Sequence, residues 1–355
     1  MDKTNNIFDF ATSELSQDAF IAWLLSFTDN KYKHMKDYDN LHECGKELLC
    51  TLCKEKCPEI NLSSKITDLE VKMQYKHIDI LVSFKYNEII YYLIIEDKIG
   101  TCEHNNQLNR YRKTIKKDYS VPEKNLIPIY FKTGNELEVE EKEAEGDSYY
   151  KTFYRKDFLD LLKKYKTTIT NNIFQDYYNY LWQIDEETES YKSEGNSCPS
   201  NWSYNQFWGF FKDLDKELKE QNIAKINDCY YLSNQSGGFL CFLVNRTRQI
   251  NQKREENEFS IYIQLEQDKL CFKSGPHSNK EERSKERNCI SELLKNKGVN
   301  KPEKFGIGEC MTSGIVSDYI KIENGKVNIK KTAEAIKDNL NILKAVTEAY
   351  KQSNK

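Results

Sequence analysis

Two apolar runs, Ile78-Asp79-Ile80-Leu81-Val82 and Tyr91-Tyr92-Leu93-Ile94-Ile95, lie close together and each meets charge. Runs rich in β-branched and aromatic residues are strand material, and two so near in sequence fold back as an antiparallel hairpin. Positions 79 and 96 are symmetric about a midpoint between Asn87 and Glu88, so a tight turn there sets Asp79 directly across from Glu96. Lys98, two residues beyond Glu96, projects from the same face. One hairpin therefore brings two carboxylates and an amine to one spot between strands that otherwise exclude charge. Burying a carboxylate without a partner costs several kcal/mol, so this grouping limits the folds open to the chain.

The flanking pattern extends the sheet. Phe20, Trp23, Leu24 and Phe27 recur at helical spacing and predict a helix over 14–27, with Ser13 or Ser16 as cap and Asp18 in its first turn. A second helix is predicted over 41–56, with Pro58 just past its end. Alternation over 69–74 predicts a strand before the hairpin strands at 77–84 and 89–98. A helix over 104–117 and a strand over 126–131 follow, then an acidic solvated loop over 136–147 and helices over 155–166 and 170–185. Residues 186–201 read as a linker. Beyond it a helix (203–221) precedes strands at 229–233, 238–245, 258–266 and 269–274. A helix over 278–297, a strand near 309–316 and a helix over 332–350 complete the chain. The expected organisation is an α/β domain over 1–190, a mixed sheet flanked by helices, and an α+β domain over 201–355.

Composition narrows the setting. The chain has 355 residues, enough for a sizeable core, with 38% hydrophobic and 31% charged residues. No apolar run approaches the roughly 18–20 residues that span a bilayer, and Met1-Asp2-Lys3-Thr4-Asn5 does not open a signal peptide, so a cytoplasmic location is expected. The 11 cysteines are odd in number and mostly scattered, which argues for reduced thiols. A formal net charge of −3 does not advertise nucleic-acid binding, so any such binding needs a local basic surface.

Two carboxylates beside an amine suit the cleavage of phosphodiesters by a hard divalent cation. Mg²⁺ takes oxygen ligands and commonly uses one or two protein carboxylates, with water and phosphate completing its shell. Asp79 and Glu96 meet that demand, and the backbone carbonyl of Asp97 is placed to add a ligand. Lys98 would orient the attacking water, lower its pKa, or hold charge in the transition state.

The order helix–β–β–β–helix–β, with Asp79 and Glu96-Asp97-Lys98, resembles the PD-(D/E)XK nuclease superfamily over roughly residues 10–185. Asp79 matches the first acid, with Ile78 where the motif proline would stand, Glu96 the second acid, and Lys98 the lysine. Glu14 is similar to the acid that many members carry on their first core helix. Gln107 is similar to the glutamine that several members place on the helix after the lysine strand, and Tyr111 shares its face one turn on. The resemblance implies hydrolysis of DNA with Mg²⁺ or Mn²⁺, in bacterial DNA processing or defence. Asp79 and Glu96, with Asp97 and Glu14, would hold or support the metal. Gln107 and Tyr111 would position the substrate, and Arg110 and Lys113 belong to the cluster (with Arg112, Lys116 and Lys117) best suited to track phosphates.

Other readings stay open. Glu96 and Lys98 also fit a solvent-facing pair on an edge strand, Glu14 an ordinary first-turn acid, and the basic cluster a plain solvated helix. His42, Cys44, Cys50, Cys53 and Cys57 suggest zinc, but the cysteine spacing fits one buried helical face better. Ser236-Gly237-Gly238-Phe239 reads as a tight turn. Trp202, Tyr204, Phe207, Trp208 and Phe211 fit a hydrophobic contact between domains better than base stacking. Arg246, Arg248, Lys253 and Arg254 form a basic loop suited to a phosphate backbone or a partner. The rival to an enzyme is a catalytically silent nuclease fold that binds or regulates; a third reading makes the C-terminal half a ligand sensor. Nucleic acid is the expected partner and a membrane is not. Self-association or a protein partner through the C-terminal domain remains open.

Overall fold

The computed structural model describes residues 5–99, 107–135, 150–232, 238–245, 260–275, 280–305 and 310–353. The chain divides into two compact units, 1–186 and 187–355. The first contains α1 (Glu14–Ser26), α2 (Tyr38–Cys53), β1 (Thr67–Tyr75), β2 (Ile78–Tyr86), β3 (Ile89–Lys98), α3 (Gln107–Tyr119), β4 (Leu126–Lys132), β5 (Lys151–Tyr154), α4 (Arg155–Lys163) and most of α5 (Asn172–Glu189). Its five strands form one sheet in the order β1-β2-β3-β4-β5. The first three are antiparallel, whereas β4 and β5 run parallel to β3. This is the mixed sheet flanked by helices that the sequence leads one to expect.

Two tight turns fix the register. Lys76 and His77 (φ 51° and 71°) join β1 to β2, and Asn87 and Glu88 (φ 50° and 58°) join β2 to β3. Positive φ at both central residues is the turn that matches strand twist in a two-residue hairpin loop. Tyr86 accordingly pairs with Ile89 and Ile80 with Ile95.

Each face of the sheet has its own core. Ile80, Val82, Leu93 and Ile95 pack with α1, α2, α4 and α5, while Leu81, Tyr92 and Ile94 pack with Leu108, Tyr111 and Ile115 of α3. Phe20 stacks on Tyr177 at 3.8 Å between ring centres, tying α1 to α5. Gly45 lets α2 approach α1 closely, since a Cβ there would fall 2.3 Å from the Leu24 carbonyl oxygen.

The second unit contains α6 (Tyr204–Glu220), β6 (Ile226–Leu232), β7 (Phe239–Val244), β8 (Ser260–Glu266), β9 (Lys269–Gly275), α7 (Lys280–Lys295), β10 (Met311–Val316), the ribbon β11 (Ile322–Glu323) and β12 (Lys326–Val327), and α8 (Ile329–Ser353). Its antiparallel sheet has the order β10-β9-β8-β7-β6. The aromatic run of α6 belongs to this unit's own core: Phe211 lies 3.8 Å from Phe242 of β7, and Trp208 meets the same ring edge-on.

Three features depart from the pattern read in the sequence. Strand β5 has four residues, only Phe153 of which is buried, too few for a periodic signal. The stretch over 186–201 is not open chain, because α5 continues to Glu189 and three single-turn 3-10 helices follow. Tyr191 is buried there against Trp202 and Phe210, with its hydroxyl 2.5 Å from Asp213. The β11–β12 ribbon turns on Asn324 and Gly325 and is too short to read. The acidic 136–147 stretch, residues Ser236 and Gly237, and Arg246, Arg248, Lys253 and Arg254 lie outside the described residues. No described helix is long and apolar enough to cross a membrane.

Candidate active site

The site forms where β2 begins and β3 ends. Ile80 pairs with Ile95, and one further step along the ladder sets Asp79 beside Glu96. Both, with Lys98, alternate onto the face of Leu81, Tyr92 and Ile94, the face that α3 covers. Lys98 Nζ lies 2.6 Å from Glu96 Oε1, 3.8 Å from Asp79 Oδ2 and 3.9 Å from Glu14 Oε2. Its ammonium also donates to the Asp97 carbonyl oxygen at 2.9 Å. Glu14, at the first turn of α1, reaches the end of β3 and accepts the Ile99 N–H at 3.0 Å. Asp79, Glu96, Lys98 and Glu14 thus share one cluster.

Asp97 has its side chain on the opposite face. Its carboxyl accepts from Gln17 Nε2 at 2.6 Å, while its backbone N–H donates to Asp79 Oδ2 at 2.9 Å. Gln17 Oε1 accepts from Thr133 (2.6 Å) and Tyr177 (2.8 Å), so one buried amide joins α1, β3, α5 and the residue after β4. Only the Asp97 main chain faces the cluster, with its carbonyl oxygen accepting from Lys98.

On α3, Gln107 Nε2 donates to the Tyr111 hydroxyl at 3.3 Å. Burial raises the Tyr111 pKa first, and the charges of Glu96 and Asp79 raise it further, so this ring senses the site. The basic cluster on the same helix divides. Arg112 and Lys116 both pair with Glu123. Arg110, Lys113 and Lys117 are exposed and spaced as one helical stripe.

Three participants escape the sequence reading: Gln17, Asp18 and Gln74. Asp18 is one turn after Glu14 on α1 and 1% exposed, and it lies near enough to Asp97 for each carboxyl to shift the proton affinity of the other. Gln74 Nε2 donates to both Asp18 Oδ2 and Asp79 Oδ1 at 3.3 Å. The symmetry that pairs 79 with 96 also pairs 74 with 79 about the Lys76-His77 turn, a signal available in the sequence.

The His42 and cysteine group belongs to the core. Cys44, Cys50, Cys53 and Cys57 are buried, and burial holds their thiols above the ordinary range. His42 Nδ1 sits 2.9 Å from the Phe27 carbonyl oxygen.

Carboxyls outnumber ammonium groups at the site, and their proton affinities show it. Burial lifts Glu96 from 4.5 to about 7, with Lys98 opposing the shift and Asp79 adding to it. Burial, then the charge of Asp79, lifts Asp18 from 3.8 to about 7. Asp97 is held well above the usual carboxylate range by burial and by Asp18. Burial works to lower the Lys98 pKa, but Glu96, Asp79 and Glu14 outweigh it and the net shift is upward.

A folded state that keeps these protons to higher pH than the unfolded chain loses stability as pH rises. The contribution from Glu96 and Asp18 is complete below their unfolded values of 4.5 and 3.8 and is lost through about 7. The unfolding midpoint of the cation-free protein is therefore expected to fall from about pH 5 to pH 8. Added Mn²⁺ should restore more at pH 8 than at pH 6, because a cation needs the carboxylates ionised. A midpoint that rises over this interval without metal would contradict the assignment.

Both carboxyl oxygens of Glu96 are buried, and neither has an aligned hydrogen-bond partner. Lys98 Nζ, 2.6 Å from Oε1, is a charged partner to that oxygen, so Oε2 is the one left without a partner. An all-oxygen donor set with an unpartnered buried carboxyl oxygen fits a hard divalent cation. Among the described residues no three His, Cys, Asp or Glu groups form a metal cage unaided, and Mg²⁺ ordinarily completes its shell with water and phosphate.

The sequence profile of the PD-(D/E)XK nuclease superfamily matches residues 5–232, well over half of the chain. The chain belongs to the PD-(D/E)XK nuclease superfamily. No curated protein and no solved structure matches it. The superfamily match runs beyond the first unit to the end of β6, the first strand of the second. Nucleases of this superfamily typically use divalent metals, and the carboxylate and lysine cluster lies inside the matched region.

Proposed function

We propose that this protein is a divalent-metal-dependent deoxyribonuclease that hydrolyses phosphodiester bonds, in bacterial DNA processing or defence. The observation that carries the reading is Lys98 Nζ within 4 Å of Glu96, Asp79 and Glu14 at the ends of two paired strands. Asp79 and Glu96 hold Mg²⁺ or Mn²⁺, with the Asp97 carbonyl as a further ligand and Glu14 supporting the metal or its water. The cation, when bound, supplies Lewis-acid charge at the phosphate. Lys98 donates toward the scissile group and stabilises negative charge as it develops. Gln107 and Tyr111 position the substrate strand, and Arg110 and Lys113 hold its phosphates. The second unit, with a sheet of its own, recognises substrate or a protein partner.

The test incubates the purified protein with circular and linear, single- and double-stranded DNA, in Mg²⁺, Mn²⁺ or EDTA, beside a Glu96→Gln control. Metal-dependent cutting lost in the variant is the expected result. Binding without cutting in every condition would overturn the enzyme in favour of a silent binding module. The Arg110 and Lys113 assignment has its own readout. Arg110→Ala and Lys113→Ala are each expected to weaken DNA binding uniformly across sequences and to reduce the salt slope of affinity by about one. An unchanged slope would remove α3 from the phosphate path.

A further inference from the structure

We propose that Gln74 is a positioning residue that fixes the Asp79 carboxylate for cation binding, with Asp18 as its anchor; this rests on reading Asp79 as a metal ligand. Met73 pairs with Ile80, so the next step of the ladder sets Gln74 beside Asp79, as the step on the other side sets Asp79 beside Glu96. Gln74, Asp79 and Glu96 therefore form one row across three strands at the edge of the site.

The bonds fit that role. Asp79 Oδ2 is held by the Asp97 N–H at 2.9 Å, which anchors one edge of the planar carboxylate and leaves the other oxygen for a second partner. Gln74 Nε2 engages that other oxygen, Oδ1, at 3.3 Å. Its second contact, Asp18 Oδ2 at 3.3 Å, ties the amide to the buried start of α1. A carboxamide nitrogen carries two N–H donors and no charge, so it can hold two carboxylates without competing with a cation for them. Lysine here would add a competing charge, and an ionised glutamate would have nothing to donate.

The backbone makes the same point. Gln74 has φ 53°, an unfavoured conformation for a long L side chain. The residue is exposed, so no gain in core packing offsets that strain. Residues held in such conformations cluster at active sites and ligand clamps, and this one reaches a carboxylate of the candidate site. Groups that orient a metal-ligating carboxylate commonly change metal affinity by tenfold or more when removed.

The experiment measures Mn²⁺ affinity by calorimetry without nucleic acid, then kcat and KM on DNA, for the wild type and Gln74→Ala. Because the side chain is exposed, the variant is expected to fold with its thermal midpoint nearly unchanged. Mn²⁺ affinity should fall about tenfold or more, and kcat should fall with KM for DNA almost constant. Mn²⁺ affinity within about twofold of wild type would overturn the proposal, even if DNA cleavage is reduced. A wild type that binds Mn²⁺ and cuts no nucleic acid would sink the nuclease reading, while the calorimetric comparison still decides Gln74. A wild type that binds no Mn²⁺ would overturn both.

Discussion

Lys98→Met is expected to lower DNA cleavage by about 100- to 1,000-fold, the range for removing one preorganised donor at a developing anion, while Mn²⁺ binding is kept or tightened. Methionine preserves the buried stem of a side chain that is 8% exposed, so packing changes little. The charge is what disappears. Lys98 Nζ now competes with any cation for Glu96 Oε1, 2.6 Å away. Without it Glu96 loses the group that lowers its proton affinity, and Asp79 loses a neighbour at 3.8 Å. A structural lysine would give the opposite pattern: a poorly folded protein with weaker metal binding and cleavage reduced in proportion. Calorimetry and single-turnover cleavage on the same preparation separate the two. Full activity in Lys98→Met would remove the lysine from the chemistry.

Gln17→Ala is expected to destabilise the first unit by roughly 2–4 kcal/mol, the scale for orphaning several buried polar groups. Gln17 is 2% exposed and makes three short side-chain bonds: to Asp97 (2.6 Å), Thr133 (2.6 Å) and Tyr177 (2.8 Å). Alanine leaves two hydroxyls and a carboxyl oxygen without that partner and with no route to water. The damage reaches the site along the chain, because the Asp97 N–H holds Asp79. Urea unfolding should show a lower midpoint with an unchanged slope, and Mn²⁺ affinity should fall as well. A change below about 0.5 kcal/mol, the level of ordinary surface substitutions, would mean that the network relaxes and does not brace β3.

What could be read in advance was what repeats locally. The hairpin register follows from strand periodicity and from a two-residue turn, so Asp79, Glu96 and Lys98 were found together. Glu14 was legible by resemblance and lies at the cluster. Gln17 and Asp18 are not legible as participants, because two polar residues near the start of a helix look the same whether they face water or a buried carboxyl. Their burial is a property of the strand beneath them. In the sequence the charges of α3 form a single undivided cluster. The sorting comes from Glu123, beyond the helix, which takes Arg112 and Lys116 and leaves Arg110, Lys113 and Lys117 as an exposed stripe. The stretch after α5 has the charged and small residues of a linker, yet Tyr191 anchors it among Trp202 and Phe210. One aromatic residue with distant partners outweighs local composition there.

The most direct test is the anomalous scattering of Mn²⁺ in crystals grown at pH 8, where Glu96, which titrates at about 7, is ionised. The expected result is a single strong peak within bonding distance of carboxylate oxygens from both Asp79 and Glu96, lost in Asp79→Asn. No peak there at saturating Mn²⁺, or a peak bound only by carboxylates elsewhere on the chain, would contradict a shared metal and lysine centre.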